Sequence, residues 1–526
     1  MQRINQIQTM TQNSKIYAPN VYLFAYHLCK PLESESISPE EFAKLWEKCH
    51  EILQAKLAVG TAFNGSYLSK KDEPAGWRVN LINKQVVGNR NSLPFAKNIS
   101  LDNQQINLKG FAQPLRIDDS YALGLKIRVP EKVDGKSAPA VDVSIFKEFN
   151  PDNCLLPDFV QSYFGQTLLL TAWLSIEQNQ AAREDSQFMK KLAQQCLEKF
   201  ISGDNLPSFY RQGELFGSPI LEYGHPSRQD TECHVIVWFF NSSATDEIWD
   251  ETRYSDFVEL FLYRNKIIRA YQDSRKTYLV TRDEYKQIEL NIDATFKYLQ
   301  QDEAHQRHLK GAGLKEEELE RLQRQTIEMP PRAVNYARLL RDLEFRQNTI
   351  AINAKNYQDK LNQISLDLKS SKKYNDSDCD LSFLELFSKE TCPQFEEQIK
   401  ADLGYFKHGT GLLDKAMEAI RGVVAIEEAY RDAKLEVTIQ AVGFGLGVAG
   451  VVAGSSPYLI KQDPPNQVIA LPFLKVGINS FALVLLISIG AGVVVWGLVM
   501  LGANSKNLLG KFKNLLGKIK RRSDGG

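Results

Sequence analysis

VTIQAVGFGLGVAGVVAGSSPYLI, residues 437–460, holds no charged side chain, and neither does VGINSFALVLLISIGAGVVVWGLVMLGANS, residues 476–505. A helix needs about 20 predominantly apolar residues to cross a hydrocarbon core of roughly 30 Å. Both stretches exceed that length. Working outward, only 159–176 is similarly free of charge, but Gln161, Ser162, Gln166 and Ser175 interrupt it and no Lys or Arg flanks it. It is expected to be a buried helix of a soluble domain. The sequence therefore predicts an α+β chain of four parts: an α/β domain at 1–250, a long-helix stalk at 251–436, a two-helix transmembrane hairpin at 437–505 and a basic tail at 506–526.

Lysine and arginine placement predicts the orientation. Arg421, Arg431 and Lys434 precede the first span, and Lys506, Lys511, Lys513, Lys518, Lys520, Arg521 and Arg522 follow the second. The connector 461–475 has only Lys461 and Lys475. Loops richer in Lys and Arg stay inside. Both termini are thus expected in the cytoplasm, with the protein in the plasma (inner) membrane. The polar start MQRINQIQTMTQNSK lacks the apolar core of a secretory signal.

The 64 basic and 64 acidic residues cancel, so no global field marks a nucleic-acid binder. Seven scattered cysteines without a C-x-x-C pair argue for reduced thiols rather than a disulfide framework or structural zinc.

Within 16–250, strand-like runs occur at 21–27, 77–82, 121–129, 141–146 and 234–240, enriched in β-branched and aromatic residues and bounded by turn formers. Helical periodicity marks 39–58, 159–176 and 186–201. Phe209, Tyr210, Gly213, Phe216, Gly217, Pro219, Tyr223, Gly224 and His225 form an aromatic and glycine cluster, read as packing with a ligand pocket as the sharper alternative. Beyond 250, a heptad series Phe257, Arg264, Tyr271, Tyr278, Tyr285, Ile292, Leu299 and a second, Tyr336, Leu343, Ile350, Tyr357, Ile364, predict long helices packed at shallow angles. The stretch 314–325 with Pro330 and Pro331 is expected to turn between them, 369–380 to be a linker, and Gly404, Gly409 and Gly411 to break a third helix starting near Cys392. Arg264, Lys266, Arg269, Arg275 and Lys276 are expected on a solvated face.

In the first span Gly443, Gly447, Gly450 and Gly454 share one face, and Gly490 and Gly497 repeat the theme in the second. Small residues let helix backbones approach in lipid. The pattern fits packing within one chain or an interface between subunits equally well. Thr438, Gln440, Ser455 and Ser456 are the polar side chains available to line a pore. The tail repeats itself as Asn507-Leu-Leu-Gly-Lys-Phe-Lys513 and Asn514-Leu-Leu-Gly-Lys-Ile-Lys520, the pattern of a basic amphipathic helix on anionic lipid.

This layout resembles the CorA-type two-span metal-ion transporter superfamily. The shared features are an N-terminal cytoplasmic α/β domain, stalk helices leading into the first span, a short outer connector, a second span and a basic tail. The resemblance implies a homo-oligomer, five subunits in that family, around a pore lined by the first span. The family ends that span with Gly-Met-Asn, or at least Gly-x-Asn; here Gly454-Ser455-Ser456 stands instead, and the connector carries Asp463 against two lysines. The expected function is an oligomeric CorA-like membrane protein, a ligand-regulated ion channel or divergent cation transporter, with a non-conducting membrane-anchored sensor or scaffold as the alternative. Its expected partners are the lipid bilayer, further copies of itself and a cytoplasmic ligand or protein, without nucleic acid.

Neither G-x-x-x-x-G-K-[ST], H-E-x-x-H nor G-x-S-x-G occurs. His305 and His308, beside Asp302 and Glu303, have a metal-compatible spacing but read as a solvated helix end. No enzyme activity, catalytic residue, metal or cofactor is expected. A peptide of residues 506–526 should sediment with vesicles rich in anionic lipid and not with neutral ones; equal binding to both would refute the interfacial helix.

Overall fold

The computed structural model describes residues 15–29, 39–60, 63, 68, 77–101, 103–133, 135–228, 232–249, 251–299, 314–371, 373–459, 468–470, 477–479 and 485–498. Among these, ten strands make one sheet: β1 (Lys15–Leu28), β2 (Arg78–Asn80), β3 (Leu93–Leu101), β4 (Gln104–Ile117), β5 (Ser120–Arg128), β6 (Val141–Asp142), β7 (Gly165–Trp173), β8 (Phe209–Leu215), β9 (Ser218–Tyr223) and β10 (His234–Phe240). Their order is β8-β9-β10-β7-β1-β5-β4-β2, with β3 also on β4 and β6 on β1. Every pairing is antiparallel except β10 with β7.

Central strand β1 explains the layering. Its run Val21-Tyr-Leu-Phe-Ala-Tyr26 is buried at every position, and a strand apolar on both faces must be covered on both. Val21, Leu23 and Ala25 join Leu123, Leu125, Leu168 and Leu170 in the main core. Leu45 and Cys49 of α1 (Pro39–Glu51) and Leu192, Cys196 and Phe200 of α2 (Phe188–Phe200) complete that cluster. The opposite face presents Tyr22, Phe24 and Tyr26 to α3 (Ser243–Ile248), Trp249 and α4 (Glu251–Leu299). Phe24 lies 5.6 Å from Tyr254 and 5.3 Å from Phe261, centroid to centroid, and Tyr26 Oη donates to the Val258 carbonyl at 2.7 Å. Each such fully buried ring is worth about 1.5–3 kcal/mol.

Two further long helices follow, α5 (Glu316–Ser370) and α6 (Cys392–Leu459), and then the apolar α7 (Leu485–Leu498). The chain falls into two compact units. The first comprises residues 1–285 and 336–408 and the second 286–335 and 409–526. In the first unit Tyr271 stacks on Phe395 at 3.6 Å, Tyr278 meets Phe406 at 5.5 Å, and Tyr336 Oη donates to the Phe406 carbonyl. The second heptad series is buried throughout, from Tyr336 to Ile364. In the second unit Ile288, Ile292, Leu319, Leu322, Leu413, Ala416 and Ile420 are buried, and Thr295 Oγ1 donates to Gln325 Oε1.

The α+β class is as expected, but several elements differ from their expectation. Residues 165–173 are strand β7, not helix. A strand covered on both faces loses its two-residue alternation and reads like a buried helix. The run 141–146 divides between β6 and a short helix, Ile145–Phe149. Strands β3 and β4, not expected from sequence, pair as a hairpin whose outward positions are largely polar. The aromatic and glycine cluster forms the β8–β9 hairpin, turned at Phe216 and Gly217, both with positive φ. Pro330 and Pro331 lie inside α5, where buried Leu322 and Met329 hold the helix despite the missing donors. The stretch 316–325, expected as the turn, is instead the first part of α5, and residues 300–313 lie outside the described residues. Helix α6 runs through Gly404, Gly409 and Gly411 without a break, with Leu403, Phe406 and Leu413 buried beside them.

Gly124 shows how closely α4 is seated. A Cβ there would clash with Tyr254 Oη, a hydroxyl without a hydrogen-bond partner among the described residues. Gly124→Ala should therefore destabilise the protein by about 1–3 kcal/mol, read as a lower urea midpoint of the sheet unit in the detergent-purified chain. Adding Tyr254→Phe should restore part of the loss; no recovery would mean the clash lies elsewhere.

Candidate functional site

The two apolar helices meet inside the second unit through glycine. A Cβ on Gly492 would lie 2.9 Å from the Gly445 carbonyl oxygen and 3.3 Å from Ala449 Cβ; one on Gly445 would lie 3.1 Å from the Gly492 oxygen and 3.5 Å from Trp496 Cβ. Backbones this close tolerate no side chain at the crossing. Neither glycine belongs to the set singled out from sequence.

That set lies elsewhere on the helices. Gly443, Gly447 and Gly450 are exposed, and a Cβ added to any of them meets no atom of the described residues within 4 Å; the same holds for exposed Gly490 and half-buried Gly497. With Gln440, Phe444, Val448 and Val451, Gly443 and Gly447 line an apolar groove of about 500 Å³. Gly454, Ser455 and Ser456 continue α6. Thr438 Oγ1 donates to the Lys434 carbonyl, and Gln440 Nε2 donates to Glu436 Oε1. Both polar side chains are thus occupied by their own helix. Gly477–Asn479 pairs as a strand with Val468–Ala470, so the second apolar stretch opens extended where a helix is expected. Lys506, Lys511, Lys513, Lys518, Lys520, Arg521 and Arg522 lie outside the described residues, as do His305 and His308.

A buried charged cluster ties α4 to the sheet. Glu222 of β9 is 2% exposed. Its Oε1 accepts from Arg264 Nη2 at 2.9 Å and faces His234 Nε2 at 2.9 Å, while Oε2 accepts from Arg211 Nε at 2.6 Å. His234 Nδ1 lies 2.9 Å from Thr167 Oγ1, which also accepts from Asn265 Nδ2. One polarity satisfies every bond: Asn265 to Thr167, Thr167 to His234 Nδ1, and His234 Nε2–H to Glu222. Burial alone would raise Glu222, but the bond from His234 and the two guanidiniums hold it well below the usual carboxylate range. Burial and then Arg264 push His234 down to about 4, which leaves it neutral at pH 7. Thr167 is fully buried, so this order of hydroxyl, imidazole and carboxylate offers a substrate no approach. The other basic residues of the stretch are also paired, Lys266 with Asp119, Arg269 and Lys276 with Asp273, and Arg275 with Asp402. The solvated-face expectation fails for Arg264, whose register position points at the sheet.

A cleft of about 780 Å³ opens on the Tyr22 face of the sheet. Strand register aligns Asn20, Arg128 and Lys109 in one row and Tyr22, Lys126 and Phe111 in the next. Phe95, Glu131, Asp246, Trp249 and Tyr254 also line it. Trp249 Nε1 donates to Tyr22 Oη at 3.0 Å. Burial and Glu131 raise Asp246 to about 6, against the opposing pull of Lys126 and Arg128. Sequence reading missed this cleft because its residues converge only through strand pairing; lysine alternating with aromatic or apolar residues is the sole local trace. Among the described residues, no group of three or more His, Cys, Asp or Glu is placed to hold a metal ion. No protein-family model matches the chain, and no curated protein matches it.

The depressed His234 value makes stability depend on pH. Between about 6.5 and 4 the unfolded chain takes up a proton at this histidine and the folded chain does not, so acidification destabilises the fold, by roughly 1 kcal/mol per pH unit. Asp246, whose value is raised, acts with the opposite sign between 3.8 and about 6. The difference between wild type and His234→Gln isolates the histidine: urea midpoints from pH 7 to pH 5 should fall more steeply for wild type. Parallel curves would mean His234 is not held neutral.

Proposed function

We propose that this chain is an oligomeric two-span membrane protein of CorA-like layout, in which the C-terminal half of α6 and the apolar stretch containing α7 form the hairpin and the sheet unit is a cytoplasmic sensing domain. The observation that carries this reading is the division of labour among glycines. Gly445 and Gly492 are consumed by packing within one chain, whereas Gly443 and Gly447 stand open on an apolar groove and Gly450 is exposed near it. An open small-residue face in lipid invites another helix backbone. The most apolar 18-residue window of the long helix is only 11% buried, and Phe444, Leu446 and Val451 are exposed. A core helix of a soluble protein would be covered. Among the described residues this is the one helix long and apolar enough to span a bilayer, α7 being shorter.

Two helices enclose no channel, so conduction requires a closed ring. The ring reading is a ligand-regulated ion channel. Gly454-Ser455-Ser456 and the basic connector set it apart from transporters that collect divalent cations at a polar, negative mouth. The second reading, a non-conducting anchored sensor, is favoured by Thr438 and Gln440, whose polar groups are bonded within their own helix.

Native mass spectrometry of the detergent-purified chain tests the shared assembly. Wild type should form a closed ring, five subunits if the layout is followed throughout. Gly443→Leu with Gly447→Leu should reduce it to monomer, and an unchanged subunit count would overturn the interface. Ion flux from liposomes holding the intact ring supports the channel; an intact ring without flux leaves the sensor.

A further inference from the structure

Three cations crowd one patch of the cleft, with the carboxylates of Glu131 and Asp246 also in its lining. Arg128 and Lys109 stand directly opposite each other on β5 and β4, and Lys126 lies two residues from Arg128 on the same face. Facing residues place their Cβ atoms about 4.5–5.5 Å apart, and residues two apart along a strand are separated by about 6.5–7 Å. The patch is therefore the width of a short phosphate chain. None of the three forms an ion pair with a described residue, although Lys126 Nζ sits 4.9 Å from the Tyr22 ring centroid. Cations held together repel one another; Asp246, which Lys126 and Arg128 attract, offsets part of that charge, and an anion in the cleft would offset more.

The remainder of the lining narrows the class of anion. Phe111, Trp249 and Tyr254 supply an aromatic wall, which suits a planar ring. Glu131 and Asp246 share the cleft with the cations. A bare polyanion would leave both carboxylates facing like charge, whereas a ligand with hydroxyl or amino donors would satisfy them. The volume, about 780 Å³, falls in the range of about 300–1,000 Å³ typical of small-molecule sites.

We propose that the cleft binds a nucleotide carrying two or more phosphates, the phosphates on Lys109, Lys126 and Arg128, the base on the aromatic wall, and the sugar or base donors on Glu131 and Asp246. This deepens the reading of the sheet unit as the sensing part of the protein and supplies the class of its ligand.

Isothermal titration calorimetry on the full detergent-purified chain, with ATP, GTP and inorganic pyrophosphate as probes, tests it. At least one nucleoside triphosphate should bind, and more tightly than pyrophosphate. Lys109→Gln with Arg128→Gln should weaken that binding tenfold or more; Lys109 is exposed, so Lys109→Gln alone, with an unchanged thermal transition, guards against misfolding and should weaken binding severalfold. Glu131→Gln with Asp246→Asn should weaken the nucleotide and strengthen pyrophosphate. Absence of binding of both nucleotides at millimolar concentration, pyrophosphate binding as tight as nucleotide, or unchanged affinity in the lysine and arginine variants would each overturn the proposal. The subunit count of the same sample separates the two readings: a monomer that binds nucleotide refutes the ring and keeps the cleft, and a ring that binds none refutes the cleft alone.

Discussion

The carboxylate of Glu222 is the charge on which the first unit depends. A buried anion is tolerable only when its lone pairs are met by donors and its charge by opposite charge. Arg264 comes from α4, Arg211 from β8 and His234 from β10, so neutralising one side chain fixes a helix and three adjacent strands together. Removing one member of such a cluster costs about 3–5 kcal/mol because it strands the remaining charge. Replacing the whole cluster by apolar residues need cost nothing, which locates its value in register rather than in net stability. Arg264 occupies a heptad core position of α4, and only one rotation of the helix delivers its guanidinium to Glu222.

That rotation has consequences one turn and more away. With Arg264 directed at β9, Phe257 and Phe261 lie on the sheet and Tyr254 lies over Gly124. Trp249, just before α4, then reaches Tyr22 and closes one wall of the cleft. The cationic floor comes from β5 and β4, with Asn20 and Tyr22 of β1 beside it, and the acidic side chain Asp246 comes from α3. The geometry of the cleft is thus a product of the same constraint that seats the helix, although no member of the buried cluster lines it.

The sequence made some of this legible and hid the rest for identifiable reasons. Apolar runs such as 21–27 and 234–240 are strands because β-branched and aromatic residues fill both faces. The heptads of α4 and α5 are long helices because seven-residue periodicity survives many turns. The same two-sided burial that makes β7 central erased its alternation and gave it the appearance of a helix. Pro330, Pro331, Gly404 and Gly411 show local propensity overridden by buried neighbours. The cleft residues were invisible for a different reason. Lys109, Lys126 and Asn20 become neighbours only when three strands pair in one register, and register is a property of the sheet, not of any segment.

The glycines of the apolar helices carry the same lesson to finer detail. Sequence spacing placed Gly443, Gly447, Gly450 and Gly454 on one face, and that reading of periodicity was sound, yet it left open what the face touches. Gly445 lies two residues from Gly443 and so about 200° around the helix from it. A close crossing at Gly445 and Gly492 therefore turns the four-glycine face away from α7. Because a helix presents opposite faces to opposite neighbours, the crossing with α7 does not occupy both. The more firmly α7 is held at Gly492, the more completely the remaining stripe stays clear of α7.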